Sequence, residues 1–179
     1  MSTKVVTGTV RLSFPALFEA VSFEDGPAKY SVMLLIPKSE KTTIKKIRDA
    51  EEQAKKNGVS SKWGGKTPKE VKSIIKDGDE TADEFPERKD MWVMTVRSDR
   101  RPQVVDSKLN PIMDPSEIYS GVYGRVSINA YPYKYMGNTG VSFGLNNVQK
   151  VADGESLGGA ARAEEDFTVL DDDDDESLI

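Results

Sequence analysis

Alternation with a period of two, unbroken from Val122 to Ala130, narrows the folds open to this chain more than any other feature. Val122, Gly124, Val126, Ile128 and Ala130 share one face; Tyr123, Arg125, Ser127, Asn129 and Tyr131 share the other, and Tyr133 and Tyr135 carry that parity past Pro132. Such a period places alternate side chains on opposite sides of a pleated strand. The small aliphatic face suits a core. The stretch Met136-Gly137-Asn138-Thr139-Gly140 supplies turn residues, and Val141 to Lys150 reads as the return strand, with Val141, Phe143 and Leu145 facing inward. The outer face, with Lys134 beside it, offers aromatic rings next to cations, on which nucleobases stack while phosphates are neutralised. The same tyrosines would equally serve to cover a core edge, since tyrosine is a common strand residue.

The rest of the chain is organised around this ribbon. Lys4 to Phe14 alternates as well: Val6, Gly8, Val10, Leu12 and Phe14 face one way and Val5, Thr7, Thr9 and Arg11 the other, which predicts a strand ended by Pro15. Ala16 to Pro27 is a connector. Ala28 to Ile36 is a second strand, apolar on both parities from Val32 onward and therefore covered on both faces. A helix over Glu40 to Lys56 follows, capped by Ser39 or Thr42 and stopped at Asn57-Gly58; its thin stripe of Ile44, Ile47, Ala50 and Ala54 places it on the surface. Thr67-Pro68-Lys69-Glu70 has capping-box form and predicts a short helix bearing Val71, Ile74 and Ile75. Asp77 to Asp90 is an acidic, mobile loop. Met91 to Arg97 is a third strand with Trp92, Met94 and Val96 on one face, and Gln103 to Val105 a short one.

The expected architecture is mainly β with inserted helices (α+β): an OB-fold-like five-stranded antiparallel barrel over residues 1–151, with a helical insertion at about 39–76 and the mobile loop at about 77–90. Residues 152–179 form a Gly/Ala linker and an acidic tail.

The chain of 179 residues contains neither histidine nor cysteine. Catalytic Ser-His-Asp and Cys-His arrangements, zinc fingers and disulfide frameworks are thereby excluded. No apolar run reaches the roughly 20 residues that cross a bilayer, and the first residues lack the apolar centre of a signal peptide, so a cytoplasmic location is expected. The net charge of −5 conceals a division. Residues 1–162 hold all 25 Lys and Arg against 21 Asp and Glu, a net +4, whereas residues 163–179 hold the other nine acids and no base, a net −9.

Three motifs fall short of their chemistry. Ser60 to Thr67 ends in Gly65-Lys66-Thr67 but has serine where a phosphate-binding loop needs its first glycine, and it follows a helix instead of a strand. Asp83, Glu87 and Lys89 have the residue types of a metal-dependent nuclease, an alternative reading that would need a rigid setting. Asp77-Gly78-Asp79-Glu80 lacks the spacing of a calcium loop. No cofactor is implied. Trp63 between Lys62 and Lys66 is either a stacking platform or a hydrophobic anchor. Arg97, Arg100 and Arg101, with Arg125, form a basic set able to follow a phosphate backbone.

The tail alternates acids with apolar residues: Phe167, Val169 and Leu170, then Asp171, Asp172, Asp173, Asp174, Asp175 and Glu176, then Leu178 and Ile179. It has the sign needed to occupy a basic groove, and tethering gives it a high effective concentration there.

Arg11 to Phe14, Lys29 to Val32, Leu35 to Lys38, Ile118 to Gly121 and Asn146 to Leu157, in that order, resemble a family of tailed-phage single-stranded DNA-binding proteins with an OB-fold, formerly a domain of unknown function. The resemblance covers most of residues 4–160 and implies sequence-independent binding of single strands during phage replication or recombination, with no enzymatic activity. Its acidic end is similar to tails that dock replication proteins. The expected DNA-binding residues, from strand parity and charge, are Tyr123, Arg125, Tyr131, Tyr133, Lys134, Tyr135, Arg97, Arg100, Arg101, Trp63 and Lys66. A scaffold that self-associates through the tyrosine face is the alternative that ignores DNA.

Overall fold

The structure is a computed structural model and describes residues 3–22, 26–157 and 167–170. The long alternating stretches become β8 (Tyr123–Tyr135) and β9 (Asn138–Ala152), paired antiparallel from Tyr135↔Asn138 down to Tyr123↔Ala152. The turn between them is tighter than its glycines and asparagine suggested. Only Met136 and Gly137 lie outside the strands, both at positive φ (47° and 81°), the mirror-image turn whose twist matches a hairpin.

Strand β8 then pairs with β2 (Val10–Val21), β2 with β3 (Lys29–Pro37), β3 with β6 (Met91–Ser98), and β6 with β9, which closes a five-stranded ring. This is the expected barrel with one difference: β6 meets β9 parallel, at Arg97↔Gly144, so the ring is not wholly antiparallel. Its interior holds Leu12, Val32, Leu34, Ile36, Met94, Val96, Val126, Ile128 and Phe143. Short strands β1 (Lys4–Val6), β4 (Lys72–Ser73), β5 (Lys76–Asp77) and β7 (Gln103–Val105) fringe the ring.

The N-terminal strand departs from its predicted form. Lys4 to Phe14 is two strands, and the inward parity slips between them, so Val5 is buried where Val6 was expected. Thr7 makes the slip: buried, it accepts the Val126 N–H on Oγ1 at 3.0 Å, and its own N–H donates to the Val126 carbonyl. Nor does Pro15 end the second strand; β2 continues through it to Val21 by way of bulges.

The single α-helix among the described residues, α1 (Lys41–Ser60), packs on β8. Neither Ser39 nor Thr42 caps it; Glu40 stands at the cap position without a side-chain bond. Its buried stripe is Thr43, Ile47, Ala50, Glu51, Ala54 and Gly58, mostly small residues that let the helix approach the sheet. Gly58, expected as the stop, lies inside the helix, where a Cβ would come within 2.8 Å of the Trp63 ring and 2.9 Å of Pro132. The second predicted helix does not form. Residues 72–77 are β4 and β5 instead, since Ser73 Oγ donates to buried Glu51 at 2.6 Å and draws this segment out as an edge. The other Glu51 oxygen accepts from Arg48 at 3.1 Å.

The acidic stretch 77–90, read as mobile, holds two 3₁₀ turns (Gly78–Thr81 and Pro86–Arg88) and is pinned to the end of β3. Lys38 Nζ donates to Asp77 at 2.7 Å and to Asp79 at 2.8 Å. These bonds lower both carboxyls below their ordinary 3.8 and raise Lys38 above 10.5. No helix among the described residues is long and apolar enough to cross a membrane.

Two outcomes are expected. Gly58→Ala, which in an open helix stabilises by about 0.5–1 kcal/mol, destabilises here by about 1–3 kcal/mol through overpacking; a raised melting temperature would contradict the close approach. Because Asp77 and Asp79 titrate below their unfolded values, their contribution is full above the unfolded carboxylate range and is lost as pH falls through the lowered values; the Lys38 contribution is lost only at alkaline pH. Amide exchange over residues 77–90, corrected for intrinsic rate, therefore accelerates in acid. Asp77→Asn exchanges faster already at neutral pH and responds less to acid.

Candidate nucleic-acid interface

The outer faces of β3 and β6 carry a groove with two connected lobes. The residues common to both are Met33, Thr95 and Arg97, which form its floor. The cross-strand pairs Ser31↔Arg97 and Met33↔Thr95 set them side by side. One lobe, about 550 Å³, lies under the β2–β3 arch and is walled by Phe14, Val21 and Pro27 with Lys29 at its side. The other, about 450 Å³, runs toward β4 and β5 and is bordered by Lys72, Lys76, Arg88 and Tyr133. Asp77 and Glu80 also border it, but Asp77 is already engaged by Lys38. Five cations, Arg97 on the floor beside Met33 and Thr95 and the other four along the sides, give a trough suited to a polyanion with flat apolar substituents.

The β8 tyrosines reach this groove through β9. Gly144 faces outward between Leu145 and Phe143, which point inward, and it sits opposite Arg97 on β6. A Cβ built on it would have Tyr131 Cε1 at 3.8 Å and the Arg97 carbonyl at 3.9 Å, so the missing side chain leaves a lane from Tyr131 to Arg97. Tyr133 and Arg97 border the same lobe, and Tyr131, 46% exposed, lies on the other side of Gly144 from the Arg97 backbone. Tyr135, 70% exposed, continues the face to the hairpin tip.

Other expected residues stand apart. Tyr123 lies at the far end of β8, under the Arg11 guanidinium (5.4 Å) and against Gly154. Arg125 is exposed, but its Nε donates to the Thr7 carbonyl at 3.2 Å, on the β1 side. Lys134 has the opposite parity from Tyr133 and Tyr135. Arg100 is exposed in the loop after β6, and Arg101 lies over the Phe18 ring at 5.6 Å. Lys66 is exposed in its loop. Trp63 is 7% exposed, and its Nε1 donates to the Tyr133 carbonyl at 3.1 Å. Of the two roles open to it, the structure gives the anchor, which holds the loop and α1 against β8 and leaves no ring face for a base.

Of the groove floor, the sequence pointed to Arg97 alone. Met33 and Thr95 carry no charge or ring, and Lys29, Lys72, Lys76 and Arg88 are scattered over four segments. The only available signal was the basic balance of the body. Of the tail, Phe167 is 73% exposed, and Asp171 to Ile179 lie outside the described residues. Among the described residues no three carboxylates converge on a metal position.

A family model described as "Enterobacter phage Enc34, ssDNA-binding protein" matches residues 3–178. Among solved structures, the chain is similar to the single-stranded DNA-binding protein from bacteriophage Enc34 in complex with ssDNA, at 33% identity over 87% of this chain and 90% of that one, with a TM-score of 0.75. A C-terminal truncation of the Enc34 protein matches at 31% identity, 86% and 88% coverage and a TM-score of 0.72. The protein gp2.5, a single-stranded DNA-binding protein encoded by bacteriophage T7, matches at 16% identity, 89% and 97% coverage and a TM-score of 0.61, a likeness of fold alone. No curated protein matches.

Proposed function

The chain belongs to the family of the ssDNA-binding protein of Enterobacter phage Enc34, a non-enzymatic family, and from that premise we propose that it binds single-stranded DNA without sequence preference along the groove over β3 and β6. The observation that carries the reading is the continuity of that groove: Met33, Thr95 and Arg97 join two lobes into one trough bordered by cations, with Tyr131 and Tyr133 entering from the side. Bases stack on the rings at about 1–3 kcal/mol each, while Lys29, Lys72, Lys76, Arg88 and Arg97 take phosphates. Backbone cations and sequence-blind stacking give binding that tolerates any base. In the host cytoplasm such a protein protects single strands during phage replication or recombination.

The acidic tail has two roles in this reading. Its carboxylates compete with DNA for the basic groove, and Phe167, Leu178 and Ile179 dock replication or recombination proteins. Supporting it are the division of charge between body and tail and the exposure of Phe167 and Val169.

Fluorescence anisotropy of a labelled oligothymidine, at two salt concentrations and without Mg²⁺, tests the binding. Affinity is expected to fall with salt, and Arg97→Ala to reduce the logarithmic slope by about 0.7, the contribution of one phosphate contact on a single strand. Gly144→Leu fills the lane between Tyr131 and Arg97; it is expected to weaken binding severalfold without lowering the melting temperature, and unchanged affinity would remove the groove from consideration. Deleting residues 163–179 is expected to tighten binding at low salt. Equal affinity with and without the tail would end the competition idea.

A further inference from the structure

We propose that Phe14, backed by Phe85 and Arg88, is a base-stacking post on the wall of the arch lobe; this rests on the single-strand reading above. The backbone is the first observation. Phe14 has φ +47°, a left-handed conformation that a bulky residue rarely adopts and that glycine or asparagine adopts readily. The conformation belongs to a bulge: between Ser13↔Met33 and Ala16↔Ser31, β2 carries one residue more than β3. The bulge is held from outside, because the Phe14 N–H donates to Ser120 Oγ at 3.2 Å, and the same oxygen lies 3.3 Å from Ser13 Oγ. Backbone strain fixed by surrounding groups concentrates where a side chain must be presented for use.

The ring is the second observation. Phe14 is 57% exposed although its neighbours Ser13 and Leu17 are buried. It stands T-shaped to Phe85, at 6.3 Å between centroids and 88° between planes. On Phe85 rests the Arg88 guanidinium, 3.8 Å from the centroid, and Arg88 is itself held by a bond from Nη1 to Thr81 Oγ1 at 3.2 Å. Phe14 walls the arch lobe and Arg88 the other. An exposed ring at the wall of one lobe, with a cation one ring away at the wall of the other, forms a stacking site for a nucleobase whose phosphates follow the basic trough.

Three variants of the full chain, measured by oligothymidine anisotropy and by thermal melting, test the post. Phe14→Gly relieves the strained φ, so it is expected to melt no lower than the parent while binding about tenfold more weakly, within the range of one lost stacked base. Phe14→Leu keeps apolar bulk but has no ring and is expected to weaken binding similarly. Phe14→Trp is expected to keep the parent's affinity, and its added indole emission to be quenched by saturating oligothymidine. Parent-like affinity in Phe14→Leu, or no quenching in Phe14→Trp, overturns the post alone. A parent protein that does not bind oligothymidine overturns the single-strand reading itself.

Discussion

The ring closes through β9, and every functional surface on the molecule is placed by how that strand is used. One edge of β9 is taken along its whole length by β8. The other is taken in turn by β4 at Gly140 and Val141, by β6 at Gly144 and by β7 from Asn147 to Gln149, all parallel. Parallel neighbours cannot be joined by a tight turn, so long connections must return over the barrel. The groove's wall comes from another long connection, the one between the antiparallel strands β3 and β6, whose 61–90 segment brings β4, β5, Phe85 and Arg88 to the side of the floor that those two strands form. The closing seam itself falls at Arg97↔Gly144, at the centre of the trough.

What the bare sequence disclosed follows from where local pattern and tertiary need agree. Strand β8 was legible because one face meets the core and the other solvent, so Val126, Ile128 and Ala130 are buried as their alternation required. Trp92, Met94 and Val96 were legible for the same reason. The N-terminal strand was misread because a single hydroxyl, Thr7 Oγ1, substitutes for a ladder partner and shifts parity, which no periodicity reveals. The capping-box segment after Trp63 had helical grammar, yet the Glu51 carboxylate and the free edge of β9 offered it more as an extended chain. Strand β3 looked covered on both sides; Leu35 is, but Met33 is half-exposed because the segment over it is a groove wall and not a lid. Trp63 shows the limit on single residues. Its role as anchor depends on a hole left by Gly58 beside Pro132, and these positions converge only after folding.

The groove joins a rigid floor to walls held by a small number of polar bonds. Met33, Thr95 and Arg97 stand on paired strands and cannot move without the barrel. The walls depend on Lys38 for the 77–90 segment and on Ser120 for the Phe14 bulge. A surface built this way sets a floor fixed by strand pairing against walls tied at a small number of points. Cations far apart in sequence meet at this surface: Lys29 and Arg97 stand on β3 and β6, and the 61–90 segment carries Lys72, Lys76 and Arg88 to the rim.

Glu51 gives the helix a part in this arrangement. One of its oxygens is held by Arg48 within α1, and the other accepts from Ser73 on β4, the strand that leads into the Lys72–Lys76 wall. Helix and wall are therefore coupled through one dehydrated carboxylate, although no helix residue borders the trough. The helix is a buttress. Its solvent side has no such tie, whereas one buried turn of it is answerable to the shape of a surface on another part of the barrel.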